Sequence, residues 1–170
     1  MGAVAALLVT ALAWGRAGLE KRASEWRVAT DSELRSVIPA RAPVIAERIE
    51  TEMRSASGIT NGHGKYVAGV VLITAGYSAE GKYSHFFVTQ VPLRLGTAVK
   101  LTPGEYVIGY EHGEQGLLVH FYEAATGKPV GTVPAPMITG TRVEEFRIWP
   151  PSDRSVIQIG RFGFSYEIGG

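Results

Sequence analysis

The feature that most limits what this chain can fold into is the stretch Lys65 to Val91, KYVAGVVLITAGYSAEGKYSHFFVTQV. From Val67 to Thr74 both alternating faces are apolar, with Tyr66, Ala68, Val70 and Leu72 on one and Val67, Val71 and Ile73 on the other. A strand wetted on one face alternates apolar with polar residues, whereas a strand apolar on both faces has to be covered from both sides. The run reads as the central strand of a β-sandwich. Ser78-Ala79-Glu80-Gly81 interrupts it with turn chemistry, and Lys82 to Val91 resumes an extended pattern rich in aromatic and β-branched residues, which predicts a hairpin.

The rest of the chain repeats that pattern. Val91 to Gly96 reads as a strand whose Pro92 places it at an edge or a bulge. Leu101 to Tyr106 reads as a type II turn, with Pro103 presetting position i+1 and Gly104 supplying the positive φ at i+2. Glu105 to Glu111 sets Tyr106, Ile108 and Tyr110 on one face. His112 to Gly116 reads as a turn, Leu117 to Ala124 as a strand, and Pro129 to Val133 as its return. Arg142 to Trp149, Ser155 to Gly160 and Phe162 to Ile168 complete the series, with Pro150-Pro151-Ser152-Asp153 as a rigid turn. Short strands between Gly and Pro turns, with no repeat of fixed period, predict a sandwich of roughly eight to ten strands and exclude propellers and solenoids.

The N-terminal third differs in kind. Ala3 to Trp14 is apolar and is followed by Gly15-Arg16-Ala17, a small-x-small arrangement after which a signal peptidase would cut. A membrane span needs roughly 20 such residues, so the run fits a leader better than an anchor. Gly18 to Val28 reads as a linker. Thr30 followed by Glu33 is a capping box and predicts a short helix from Asp31 to about Ile38. Pro43 to Ala56 spaces Ile45, Ile49 and Met53 as one helical stripe, which predicts a second helix, although Ile49 to Arg54 also alternates like a strand.

Composition removes several kinds of chemistry. The absence of cysteine excludes disulfides, thiolate metal sites, a cysteine nucleophile and lipidation of an N-terminal cysteine. Loss of residues 1–17 removes Arg16 and leaves 16 basic against 16 acidic residues, a neutral chain with no electrostatic pull toward nucleic acid. Only Asp31 and Asp153 are aspartates, so the clustered Asp and Asn of calcium loops are missing. There is no Gly-x-Ser-x-Gly elbow, phosphate loop or dinucleotide fingerprint.

What remains are candidate side chains. His63, His85, His112 and His120 show no His-x-His spacing. His63 and His112 fall in turns, whereas His85 and His120 lie on different strands where they could face each other. Glu105, Glu111 and Glu123 sit on adjacent strands, where a glycosidase would need two carboxyl groups about 5 to 10 Å apart. Tyr77, Tyr83, Tyr110 and Trp149 lie at or near strand ends, where exposed rings stack on sugars or fill an interface. Arg147 and Arg161 flank Trp149 and Phe162, in position to hold a carboxylate.

Val91-Pro92-Leu93-Arg94-Leu95-Gly96 followed by Leu101-Thr102-Pro103-Gly104-Glu105-Tyr106 resembles a pattern of small exported bacterial β-sandwich proteins, uncharacterised in function. Ile73 to Ser78 and Phe146 to Pro151 extend the likeness over about residues 44–168. The resemblance implies a sandwich and an exported compartment, and it implies no activity.

The sequence thus predicts a mainly β protein. Residues 1–17 form a signal peptide, 18–58 a linker and helical segment, and 59–170 an antiparallel sandwich of jelly-roll or immunoglobulin-like type. The expected function is a noncatalytic envelope or extracellular module without cofactor or metal. It would bind a partner protein or a glycan through Tyr77, Tyr83, Tyr110, Trp149, Arg147 and Arg161, and meet a membrane only if the N-terminal segment is retained. The alternatives are a barrel carrying a small apolar ligand, an accessory subunit of a membrane assembly, and a glycoside hydrolase.

Overall fold

The doubly apolar strand lies inside the molecule, buried on both faces as its sequence requires. A computed structural model describes residues 25–169, and the leader expected at 1–17 lies outside the described residues. In chain order the described elements are β1 (Arg27–Val28), α1 (Asp31–Val37), β2 (Arg41–Val44), β3 (Glu47–Thr60), β4 (Tyr66–Leu72), β5 (His85–Thr89), β6 (Leu93–Leu95), β7 (Val99–Leu101), β8 (Gly104–Gly113), β9 (Gly116–Glu123), β10 (Pro129–Pro136), β11 (Glu144–Trp149), β12 (Val156–Gly160) and β13 (Phe162–Ile168). All pair antiparallel into two sheets. The first runs β1-β3-β4-β5-β8-β9-β10, with β2 on the other half of β3, and the second runs β11-β12-β13-β6-β7. The chain is an antiparallel β-sandwich.

Between the sheets, Ile59, Val67, Phe87, Ile108, Val119 and Phe121 of the first meet Leu93, Leu95, Ile148, Ile157, Phe164 and Tyr166 of the second. Phe121 sits edge-on to Phe87 at 5.8 Å and to Phe164 at 6.0 Å, the geometry favoured by the ring quadrupoles. The two faces of β4 part company here. Val67 enters this core, whereas Ala68, Val70 and Leu72 enter a second one beneath α1 and β2, with Leu34, Ile38, Val44 and Ile49. At Gly69 the sheets come so close that a Cβ would stand 2.6 Å from the Phe146 ring.

The expected helix at 31–38 is present with both halves of its capping box: Glu33 N donates to Thr30 Oγ1 at 3.3 Å, and Thr30 N to Glu33 Oε2 at 2.8 Å. The second expected helix is not. Residues 43–56 form most of the β2–β3 hairpin, turned at Ile45, whose φ of 54° is left-handed and whose N–H is held by Ala124 O at 2.7 Å. The reason is tertiary: an isolated short helix is marginal, whereas β3 gains a full ladder on β4 and buries Ile49. The alternation from Ile49 to Arg54 carried the correct signal. Pro43 is accommodated because β2 pairs with β3 alone.

Two further expectations change. Gly104 begins β8 and is not among the glycines with positive φ, so the turn is not type II. Tyr106 fixes that corner, donating its hydroxyl to Thr102 O at 2.7 Å. Pro92 marks neither an edge nor a bulge. It precedes β6, a strand paired on both sides, at the point where the chain leaves the first sheet for the second.

Candidate functional site

The site arises from a mismatch in strand length. β5 begins at His85, paired with Ile108 of β8, but β8 runs on to Gly113 against β9. Tyr110 and His112 share the inward face with Ile108 and project past the end of β5, where the sheets have parted. The second sheet supplies the facing wall: Ile159 and Gly160 at the end of β12, Phe162 at the start of β13, and Val143, Glu144 and Glu145 leading into β11. The space between is an open groove of ≈ 510 Å³.

Rings line it almost without a break. His85 packs on Phe146 at 5.1 Å and lies 6.3 Å from Tyr110; Tyr110 is 6.4 Å from His112, and His112 is 6.1 Å from Phe162. Tyr110 is 42 % exposed and Val143 63 %, so apolar surface stands open to water on both walls.

His85 is only 3 % exposed. Its Nδ1 lies 2.7 Å from Ser84 Oγ, which is also 3.1 Å from Ile108 O. Its Nε2 is buried with no hydrogen-bond partner of good geometry, although the Glu145 backbone is close enough to raise the ring's pKa. Burial pushes the imidazole down to about 4, only partly offset by that backbone, so the ring is neutral at physiological pH. Glu144 has a loose partner in Arg142 at 3.8 Å, whose side chain is 92 % exposed.

Of the six residues expected to bind, the groove holds Tyr110 alone. Tyr83 is buried in the second core, edge-on to Tyr122 at 5.2 Å, because the loop after β4 folds back under the sheet. It is not at an exposed edge. Tyr77 is tied down at the β2–β3 hairpin, donating to Glu50 Oε2 at 2.7 Å and accepting from Arg41 Nη2 at 3.1 Å; that hydroxyl, and then Arg41, hold the Glu50 carboxyl below its usual range. The structure does bring Arg147 and Trp149 together on the outer face of the second sheet. Arg147 and Arg154 lie 5.1 and 4.7 Å from the indole, and Nε1 donates to Gln158 at 2.9 Å. Arg161 is exposed at the turn between β12 and β13, apart from them.

Other sequence candidates disperse. His85 and His120 do not face each other: the register His85–Ile108–Phe121 puts His85 inside and His120 outside, where it meets Thr132 at 2.8 Å and Glu111 at 3.5 Å. Among the described residues no three potential ligands gather around a metal position. Glu123 lies opposite Tyr106 on the inner face and Glu105 and Glu111 on the outer, roughly 20 Å apart at strand spacing, so no two form an acid–base pair. The two sheets touch by one isolated bridge, Met137 to Phe162, and keep separate strand orders, so they do not close into a barrel. Among the described residues no helix is long and apolar enough to cross a membrane.

The sequence pattern does not bring His112 and Phe162 together: it reads His112 as a turn histidine without ligand spacing and Phe162 as a strand residue beside Arg161. The hairpin is shorter than that reading, with only Glu114 and Gln115 between β8 and β9, so His112 stays in the strand. The alternation Ile108, Tyr110, His112 was the available signal. No family model matches the chain, and no curated protein or solved structure matches it.

Proposed function

We propose that this protein is a noncatalytic, exported binding module that takes its partner, a protein or a glycan, in the ring-lined groove at the mouth of the sandwich. The observation that carries the reading is the run of rings from His85 through Tyr110 and His112 to Phe162, half-exposed at Tyr110, around an open groove whose floor holds a buried imidazole nitrogen without a partner. Solvent-exposed rings flanked by apolar side chains and a few polar groups are the common make-up of recognition sites. Ser84 Oγ lies 2.7 Å from His85 Nδ1, but His85 is buried, no carboxylate orients its Nε2, and the Ser84 hydroxyl is also 3.1 Å from Ile108 O. The pair lacks the third group that would make it a nucleophile with its base. Glu144 and Glu145 are chain neighbours that leave a strand in opposite directions. The exported compartment rests on the sequence alone, on the apolar run before Ala17.

The test is binding to glycan and peptide panels by wild type, Tyr110→Ala and Trp149→Ala. Loss in the Tyr110 variant with retention in the Trp149 variant is the expected result; the reverse would move the site to the outer face of the second sheet. Intact mass in cell fractions tests the compartment. The expectation is a chain of residues 18–170 outside the cytoplasm, and a full-length chain in the cytoplasm would refute export.

A further inference from the structure

We propose that the groove receives the cationic side chain of a lysine or arginine on a partner protein, held against the rings of Tyr110, His112 and Phe162 and the carboxylate of Glu144. This rests on the reading that the groove is the binding site and adds the chemistry of what enters it.

Three properties converge. Tyr110 and His112 on one wall and Phe162 on the other bring aromatic rings to the groove, and ring quadrupoles attract ammonium and guanidinium groups within about 6 Å of a ring centroid. Glu144 is in the lining with them, and no lysine or arginine lines the groove. Arg142 touches Glu144 only at 3.8 Å from an almost fully exposed position, a pairing that solvent screens. The floor does not oppose a cation either, since His85 stays neutral at physiological pH and its Nε2 is unpartnered.

The apolar part of the groove decides between sources of the cation. Val71, Leu117, Val143 and Ile159 line a flank suited to the methylene stem of lysine or arginine, which packs along apolar surface while its head remains solvated or paired. Tyr110 and Val143 leave apolar area open at the rim. A small free amine would leave that area uncovered, whereas a peptide segment carrying the side chain covers it. An anionic ligand would meet the carboxylate of Glu144.

The experiment titrates the full chain with acetyl-Gly-Lys-Gly-amide, its arginine and norleucine counterparts, and n-butylammonium, following the ring resonances of His85, Tyr110, His112 and Phe162 by NMR. The lysine and arginine peptides are expected to shift these rings and to bind at least about tenfold more tightly than norleucine, whose side chain has similar length without charge. Tyr110→Leu and Glu144→Gln, each checked for folding by circular dichroism, are expected to weaken the lysine peptide several-fold. Equal binding of norleucine overturns the cation while leaving the groove as the site. Equal binding of n-butylammonium overturns the protein partner. No ring shift with any probe at millimolar concentration overturns this inference, and the groove itself falls only if the glycan panel also leaves these rings unmoved.

Discussion

His85 lies at the floor of the groove, and it ties stability to pH. In the unfolded chain its imidazole titrates near 6.5, in the folded chain near 4. Between those values the unfolded state binds the extra proton, so stability is complete above about 6.5 and falls as the pH drops toward 4, by up to about 3 kcal/mol. Glu33, held at about 2 by Arg27 and then by the Thr30 backbone, adds a loss in the same direction but at lower pH. Urea unfolding at pH 7 and pH 4.5 should show the drop, and His85→Leu should flatten it; an unchanged slope in that variant would count against His85 as the cause. A second prediction separates two residues of one corner. Gly104→Ala should leave stability within about 0.5 kcal/mol, since its φ is ordinary and the added Cβ meets Tyr106 at 3.6 Å, whereas Tyr106→Phe should cost about 1 kcal/mol through the lost bond to Thr102 O. Thermal melts of the two variants check both. The sequence Leu-x-Pro-Gly-x-Tyr made the corner legible but not its agent: Pro-Gly advertises a type II turn locally, and only the fold shows that the tyrosine holds it.

At the level of elements, β3 was the least legible and is the most informative. Between Glu52 and Ser57 it bulges away from β4, leaving Val71 N without a backbone acceptor. Ser55 Oγ accepts that N–H at 2.9 Å, and Ser57 Oγ accepts Ile148 N from the second sheet at 2.9 Å. A buried N–H stripped of its acceptor costs about 1–3 kcal/mol, so Ser57→Ala should destabilise by that amount, read by chemical denaturation. Its conspicuous signature is faster hydrogen exchange at Ile148. No sequence rule announces such a bulge, since serine at those positions reads equally well as helix surface. By contrast, α1 was legible to the residue because its capping box is a local device, complete within four positions. Turns and caps depend on neighbours in the chain, and strand registers depend on partners far away. That difference explains why the helix start was readable and the overhang of β8 that makes the groove was not.

At the level of the whole molecule, the fold class followed from one strand apolar on both faces, because only a layered structure can cover it. The groove did not follow, since it depends on how far β8 outruns β5. One edge of the first sheet is β10, with Pro134 and Pro136 paired to Leu118 and Gly116 of β9. Proline has no N–H to offer a neighbour, so these residues blunt the edge against a second copy. Replacing both with threonine should promote self-association, seen as a larger apparent mass by light scattering at raised concentration; a variant that stays monomeric under those conditions would argue against that role. The second sheet has its own logic. β6 and β7 come from the middle of the chain and β11 and β12 from far downstream, yet β13, made after every other described strand, lies between them and pairs with both. During synthesis the ribosome therefore releases two halves of a sheet and only afterwards the strand that joins them. Until β13 emerges, β6 and β12 each keep one side unpaired, an edge that a chaperone can hold.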